Sequence, residues 1–434
     1  MEELDHRITD SFLKLLENLV DGETYRDLPP KAVEDVLSPS TEEQLALEQN
    51  IWGEDETGSD SSITSEIRVI ETLRSKKVLF PTGDKLSDLN VMGIHGDNAR
   101  IITSSFHLIL ARATLVNFKY TNGIEKPYFY QRRRESTAMT VLDNNIFQDG
   151  FKVFTNHRLE KKDGGSTPIW DLLDQNSQTS KRPFLFRYDH EKTKKSPNSQ
   201  SLGLAVKFQH TLELTCVQEI DLPKQGLTVC IKNGALFSNS TSTTDNKSGL
   251  KELLPWAKEG DKIFVAAYGK VSDSRLFLKT LIANPDLIER YFPGQGITQR
   301  MINSFGSDAL ILKKVIPPGH RSPFVEFIEP TRVGAISEPG MEGLVPITCF
   351  YHKKSKPHSF LRIEIPKMFW ENNPEQVEFA ISVVAWQHEL GGGFPLVLQA
   401  AKEQSSLSHD RMILEQQMHS AFNQRDLELI EFNQ

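Results

Sequence analysis

Residues 90–101, NVMGIHGDNARI, run from an apolar segment into polar residues. His95 and Asp97 are two apart, so an extended backbone puts both side chains on one face. The apolar run IITSSFHLILARATLVNF (101–118) comes next. Together these segments predict a β-hairpin over 90–120, with its turn near Asp97 and Asn98. A histidine and a carboxylate closing an apolar strand are also candidate metal ligands.

Beyond the hairpin, strands and helices alternate. LTVCIKN (227–233) has the composition of a buried strand and ends at the turn dipeptide Asn233-Gly234. Residues 204–220 are amphipathic, with Val206, Leu212, Leu214 and Val217 as apolar positions. Helices are expected over 248–258, 275–283 and 298–304, with a strand over 262–267. The strand SFLRIEI (359–365) stops at Pro366, and a long helix over 374–390 ends in three glycines. Two further helices, 395–405 and 408–424, complete the pattern, which is that of an α/β body. Residues 121–200 show no clear periodicity. Their basic run, Gln131 to Arg134, and the loop DHEKTKKSPNSQS either touch phosphate or form solvated surface.

Upstream of the hairpin the character changes. Residues 1–60 hold 17 acidic and 4 basic residues, whereas the rest of the 434-residue chain has a net charge of +5. Ile8, Phe12, Leu15, Leu16 and Leu19 form a helical stripe, which suits docking either on the chain's own body or on a partner. GEDETGSDSSI (53–63) reads as a linker, followed by a short helix over 64–77. The expected division is therefore an acidic helical arm with its linker (1–62) and a single body (63–434). An acidic arm on a mildly basic body is compatible with nucleic-acid contact by the body.

Several classes of function are excluded or made improbable. No apolar stretch approaches the roughly 18 residues of a membrane span. The acidic N-terminus lacks the features of a secretory signal. Cys216, Cys230 and Cys349 show no CxxC pairing, so reduced thiols in a cytoplasmic protein are expected. The usual enzyme signatures, GxxxxGK[ST], GxGxxG after a strand, HExxH and GxSxG, are absent, which argues against the chain being its own ATP-driven motor.

Four blocks, in order, carry a resemblance. They are VAAYGKVSDSRLFLKTL (265–281), SDALILKKVIPPGHRSPFVEF (307–327), HSFLRIEIP (358–366) and GGFPLVLQAAKEQSSLSHDR (392–411). Together they resemble the NurA family of DNA-end nucleases over about residues 225–425. The resemblance implies an RNase H-like α/β fold, a mixed sheet flanked by helices. It also implies Mn²⁺- or Mg²⁺-dependent DNA cleavage and a homodimer that docks on a HerA-type hexameric ATPase. The setting would be DNA-end processing or antiviral defence.

The family's catalytic positions fall on altered residues. Its Val-Asp-Gly strand aligns with Ile94-His95-Gly96, so a histidine stands for the first aspartate. Its Leu-Asp-Gly strand aligns with Lys232-Asn233-Gly234, so Asn233 stands for the second. Glu213 aligns with the glutamate between them. In the last block Phe394 stands for a tyrosine and Lys402 for a histidine. Two-metal hydrolysis needs anionic oxygens around hard cations, and an amide or imidazole supplies no charge. The leading expectation is thus a catalytically degenerate subunit that guides DNA or regulates a partner.

Two alternatives follow. In one, Asp97 and Glu213 rebuild a metal site with a further acid, Asp221 or Asp308. In the other, the chain is an interaction protein that uses its acidic arm. Arg321-Ser322 and Arg362-Glu364 read as buried polar pairs, or else Arg321 joins Lys270 in contacting DNA phosphate.

Overall fold

The computed structural model describes residues 66–120, parts of 134–186, helical positions between 205 and 216, and residues 227–236, 253–328 and 342–423, with short breaks inside these ranges. The expected arm, 1–62, and most of 121–200 lie outside the described residues.

The hairpin of the sequence reading is the largest feature. β1 (Glu66–Val69) and β2 (Lys76–Lys77) precede it, and β3 (Asn90–Ile102) and β4 (Phe106–Lys119) form it. Every residue of β3 is paired antiparallel with β4, from Asn90 with Lys119 to Ile102 with His107. The turn expected at Asp97-Asn98 is therefore corrected: the strand runs on through both residues. Their polar groups are satisfied by other elements rather than by a turn. Asp97 accepts from the Leu407 amide at 2.9 Å, and the Asn98 side chain donates to Gln209 at 2.6 Å. Tertiary partners thus override the local turn preference.

β5 (Arg134–Asp143), β6 (Phe151–Thr155) and β9 (Phe184–Phe186) extend the sheet beyond β4, while β7 (Arg158–Glu160) and β8 (Ser166–Pro168) pair separately. On the other side of β3 lie β10 (Thr228–Asn233) and β11 (Lys262–Tyr268), joined through helix α1 (Leu253–Glu259). β3, β10 and β11 are mutually parallel and form the centre of the sheet. β10 and β11 are buried almost throughout, as befits strands covered on both faces.

Helices α2 (Leu276–Ala283), α3 (Asp286–Tyr291), α4 (Gln299–Ser304) and α5 (Asp308–Val315) follow β11. They build a small lobe with its own apolar cluster, which includes Leu278, Leu281, Ile302 and Ile311. This lobe rests on Val325, Phe350 and Phe360 of the sheet. Asp308 is wholly buried and accepts from the amides of Phe277 and Leu278, so it fastens α5 to the start of α2.

The chain then returns to the sheet. β12 (His320–Arg321), β13 (Val325–Ile328), β14 (Pro346–His352) and β15 (Phe360–Pro366) are antiparallel to their neighbours. Among the described residues the main sheet has thirteen strands, ordered β1-β13-β14-β15-β11-β10-β3-β4-β5-β6-β9, with β12 and β2 attached beside β14. The helix expected over 64–77 is corrected to strand, because β1 pairs with β13 and β2 with β12. The β-branched run around Ile67, Val69 and Ile70 suits that pairing better than a helix.

Helices α6 (Lys367–Asn372), α7 (Pro374–Leu390), α8 (Leu396–Ser405) and α9 (Ser408–Asn423) close the fold. Gly93 on β3 admits α8, since a methyl group built there would stand 2.7 Å from the Val397 carbonyl oxygen. Gly96 does the same on the other face for the helical positions around Glu213, with Glu213 Oε1 at 2.7 Å from a built methyl. The result is a mixed α/β fold in which helices cover both faces of β3 and fix which side chains meet.

Candidate functional site

Alternation along β3 sorts the candidate residues by face. Gly93, His95 and Asp97 face α8, and Gly96 and Asn98 face the helical positions 205–216. The last registered pair of the parallel strands β3 and β10 is Ile94 with Lys232. His95 and Asn233 are the next residues along these two adjacent strands, beyond the last registered pair.

His95 is buried, and its Nδ1 stands 2.9 Å from Ser405 Oγ. Ser405 directs its own hydrogen to the Lys402 carbonyl at 3.2 Å. Burial holds the imidazole below its ordinary pKa, opposed by Glu213 and Asp97 and assisted by Lys402 and Lys232. At neutral pH it is an uncharged ring.

Asp97 does not stand open as a ligand. Its Oδ1 accepts from the Asn98 amide at 3.0 Å, and its Oδ2 accepts from the Leu407 amide at 2.9 Å. Leu407 immediately precedes α9, so Asp97 caps the start of that helix from a distant strand. Arg112, paired with Asp97 across β4, donates to the Ser406 carbonyl at 3.3 Å. His95, Asp97 and Arg112 thus all hold the short connection between α8 and α9.

Glu213 lies on the opposite face and is 2% exposed. It accepts from the Gly96 amide at 2.9 Å, from Gln209 at 3.0 Å and from the Lys232 ammonium at 2.8 Å. Burial alone would raise its pKa, but Lys232 and His210 outweigh that and hold the carboxyl far below the usual range. Lys232 also donates to the carbonyls of Asn233 at 2.8 Å and Ala235 at 3.2 Å, which uses all three ammonium protons. The carboxylates of Asp97 and Glu213 thus lie on opposite faces of β3.

The α8 face opens into a cavity of about 410 Å³ lined by His95, Asp97, Gln399, Lys402, Glu403 and Ser406. Lys402 is exposed at its rim. Phe394 lies at the start of α8, with its ring 3.1 Å from a methyl group built on Gly269 at the end of β11. His95, Asp97 and Lys402 thus share one cavity, with Phe394 just before the helix that lines it.

Other candidates lie elsewhere. Arg321 has no exposed surface, and its guanidinium pairs with Glu71 at 2.7 and 2.9 Å and also with Glu378. It donates to the Ser322 carbonyl as well and lies 4.7 Å from the centre of the Phe324 ring. Its donors are spent inside the fold, which is the buried-pair alternative of the sequence reading. Asp308 belongs to the helical lobe. Lys270 and Asp221 lie outside the described residues.

Sequence reasoning missed Lys232, Gln209, Ser405 and Arg112. Lys232 left a signal, a lone cation near the end of the otherwise apolar strand TVCIKN. The other three left none, because their importance depends on which helix meets which strand.

The residues present do not fit a two-metal centre. The imidazole and amide carry no negative charge, Asp97 caps a helix, and Glu213 is neutralised on the far face. Lys402 adds a positive charge at the rim. Among the described residues, no three His, Cys, Asp or Glu side chains converge as a metal site.

Fold and site together define a mixed α/β protein with a polar centre on its parallel strands. In solved structures the chain is similar to the NurA nuclease from Sulfolobus solfataricus, at 12% identity and a TM-score of 0.38, covering 92% of this chain and 99% of that one. It is also similar to another NurA structure, at 9% identity and a TM-score of 0.35, covering 90% and 98% of the two chains. A NurA structure bound to dAMP and manganese matches at 8% identity and a TM-score of 0.29, covering 77% and 87%. No protein-family model and no curated protein matches the sequence. No helix among the described residues is long and apolar enough to cross a membrane.

Proposed function

We propose that this chain is a nuclease-fold subunit that no longer cleaves DNA. It works with a HerA-type hexameric ATPase in DNA-end processing or antiviral defence, as a homodimer that guides DNA or regulates an active nuclease. The ordered sequence blocks support the family reading. The observation that carries the loss of catalysis is the pairing of Glu213 with Lys232. The glutamate retained from the family pattern is already neutralised by an internal cation. In this reading the exposed Lys402 is available to DNA phosphate and Lys270 remains a candidate from the sequence, whereas Arg321 serves the fold.

The test is copurification of the chain with candidate hexameric ATPases, followed by cleavage assays of each component on end-labelled DNA with Mn²⁺. The expected result is a stable complex and no cleavage by this chain alone. Robust Mn²⁺-dependent cleavage that disappears in Asp97→Ala would overturn the proposal and favour an active site rebuilt around that carboxylate.

A further inference from the structure

Two short basic runs lie far apart in the chain, Arg74-Ser75-Lys76-Lys77 and Lys353-Lys354-Ser355-Lys356. Arg74 and Lys356 are outside the described residues; the sheet brings the others to one corner, on either side of β12. Lys77 on β2 is the register partner of His320. The His320 amide closes a tight turn onto the Pro317 carbonyl at 3.1 Å, and Gly319 in that turn donates its amide to the His352 carbonyl at 2.9 Å. Gly319 has φ 78°, and a methyl group built on it would lie 3.8 Å from the Lys354 side chain. Lys77, His320 and Lys354 therefore meet around a single turn. The acids at this corner are already engaged. Glu71 and Glu378 hold the buried Arg321, and Glu378 also holds Lys76 at 2.9 Å. Glu389 accepts from the Tyr351 hydroxyl at 2.9 Å and from the amides of Lys354 and Ser355. Lys353 is buried and donates to the His388 carbonyl at 2.7 Å. The Lys77 and Lys354 ammonium groups are exposed and have no partner among the described residues.

We propose that this corner is a contact surface for the phosphate backbone of nucleic acid, separate from the cavity of His95 and Lys402. β14, beside the corner, stands four strands from β3 in the sheet, which is about 19 Å. The sequence expectation put Arg321 on phosphate. The fold turns Arg321 inward and leaves outside the lysines of the neighbouring segments. Lysine acts there as a point charge, so the contact positions a nucleic acid without reading its bases. β2 and β14 flank β12, so the two lysines are about two strand spacings apart, roughly 10 Å, the rise of about three nucleotides along one strand. The proposal rests on the function proposed above only in taking DNA as the polyanion. It does not depend on the loss of cleavage or on the ATPase.

The experiment measures binding of the full chain to a labelled DNA duplex by fluorescence anisotropy, in chelator, from about 50 to 200 mM salt. Each lysine–phosphate contact contributes about 0.9 to the slope of log affinity against log salt. Lys77→Gln/Lys354→Gln is expected to reduce that slope by about 1.8, so the loss of affinity across this salt range becomes about tenfold smaller. Its melting temperature should match the wild type, because both side chains are exposed. Lys258→Gln/Arg300→Gln removes the same charge at exposed positions elsewhere and should leave the slope unchanged. No binding to DNA, an unchanged slope in the corner variant, or an equal change in both variants would overturn the proposal. So would binding through these lysines to phosphatidylserine vesicles but not to DNA. A slope that changes in Lys402→Gln alone would remove this surface and leave the proposed function standing, whereas failure to copurify with an ATPase would leave the corner untouched.

Discussion

Lys232 is the residue on which the candidate site turns. It is 2% exposed, and its ammonium is enclosed by Glu213 and two backbone carbonyls. A buried pair of this kind is not worth its full Coulomb energy, because both partners lost their hydration on folding. Removing one partner is another matter, since it leaves an uncompensated charge. Lys232→Met is expected to destabilise the fold by about 3–5 kcal/mol, read from urea unfolding midpoints. The double change Lys232→Met/Glu213→Gln should recover most of that loss. If the single and double variants are equally unstable, the pair does not act as a unit.

His388 makes a second residue-scale case. It is fully buried, neither ring nitrogen has a hydrogen-bond partner among the described residues, and burial and Lys353 lower its pKa to about 4. The unfolded ring titrates near 6.5. A depressed pKa means that the unfolded state takes up the proton first, so stability is full above about 6.5 and is lost as pH falls toward 4. The gap is equivalent to roughly 3 kcal/mol. His388→Gln should flatten the pH dependence of unfolding between pH 6.5 and 4. An unchanged slope would show that other groups carry it.

At the scale of elements, β3 is held between two helical layers by its glycines. A methyl group at Gly93 meets the backbone of α8, which cannot rotate out of the way as a side chain does. Gly93→Ala is expected to cost about 1–3 kcal/mol and to raise hydrogen exchange throughout α8. An unchanged exchange pattern in α8 would mean that the two backbones are not in close contact. These contacts also mark what could be read beforehand. The helix 374–390 and the strands at 228–233 and 360–366 stood out, because apolar periodicity and Pro or Gly punctuation are local signals. The expected turn at Asp97-Asn98 and helix over 64–77 are strand in the structure, because their outcome depends on distant partners, Leu407 and Gln209 for one and β13 and β12 for the other. Similarly, the sequence placed His95 and Asp97 on one face but could not say that Glu213 would meet β3 from the other.

At the scale of the whole molecule, the proposed loss of cleavage has an electrostatic consequence. A metal-dependent nuclease keeps carboxylates close together and relies on cations to offset their repulsion. Here His95 is a neutral imidazole, Asn233 is an amide, and Glu213 has a lysine of its own. Such a fold has no need of a divalent ion for stability, so its melting temperature should be the same in Mn²⁺ and in chelator. Restoring charge should create that dependence. In His95→Asp/Asn233→Asp/Lys402→His, two carboxylates would occupy neighbouring positions on adjacent strands. Without metal, their repulsion should lower the melting temperature. With Mn²⁺ at about a hundred times its dissociation constant, binding should restore roughly 2.7 kcal/mol. Differential scanning calorimetry of both proteins, each with Mn²⁺ and with chelator, separates the cases. A wild-type melt that rises with Mn²⁺ would mean that the native centre binds the ion. A triple variant indifferent to Mn²⁺ would mean that His95 and Asn233 do not converge closely enough to have formed a metal centre.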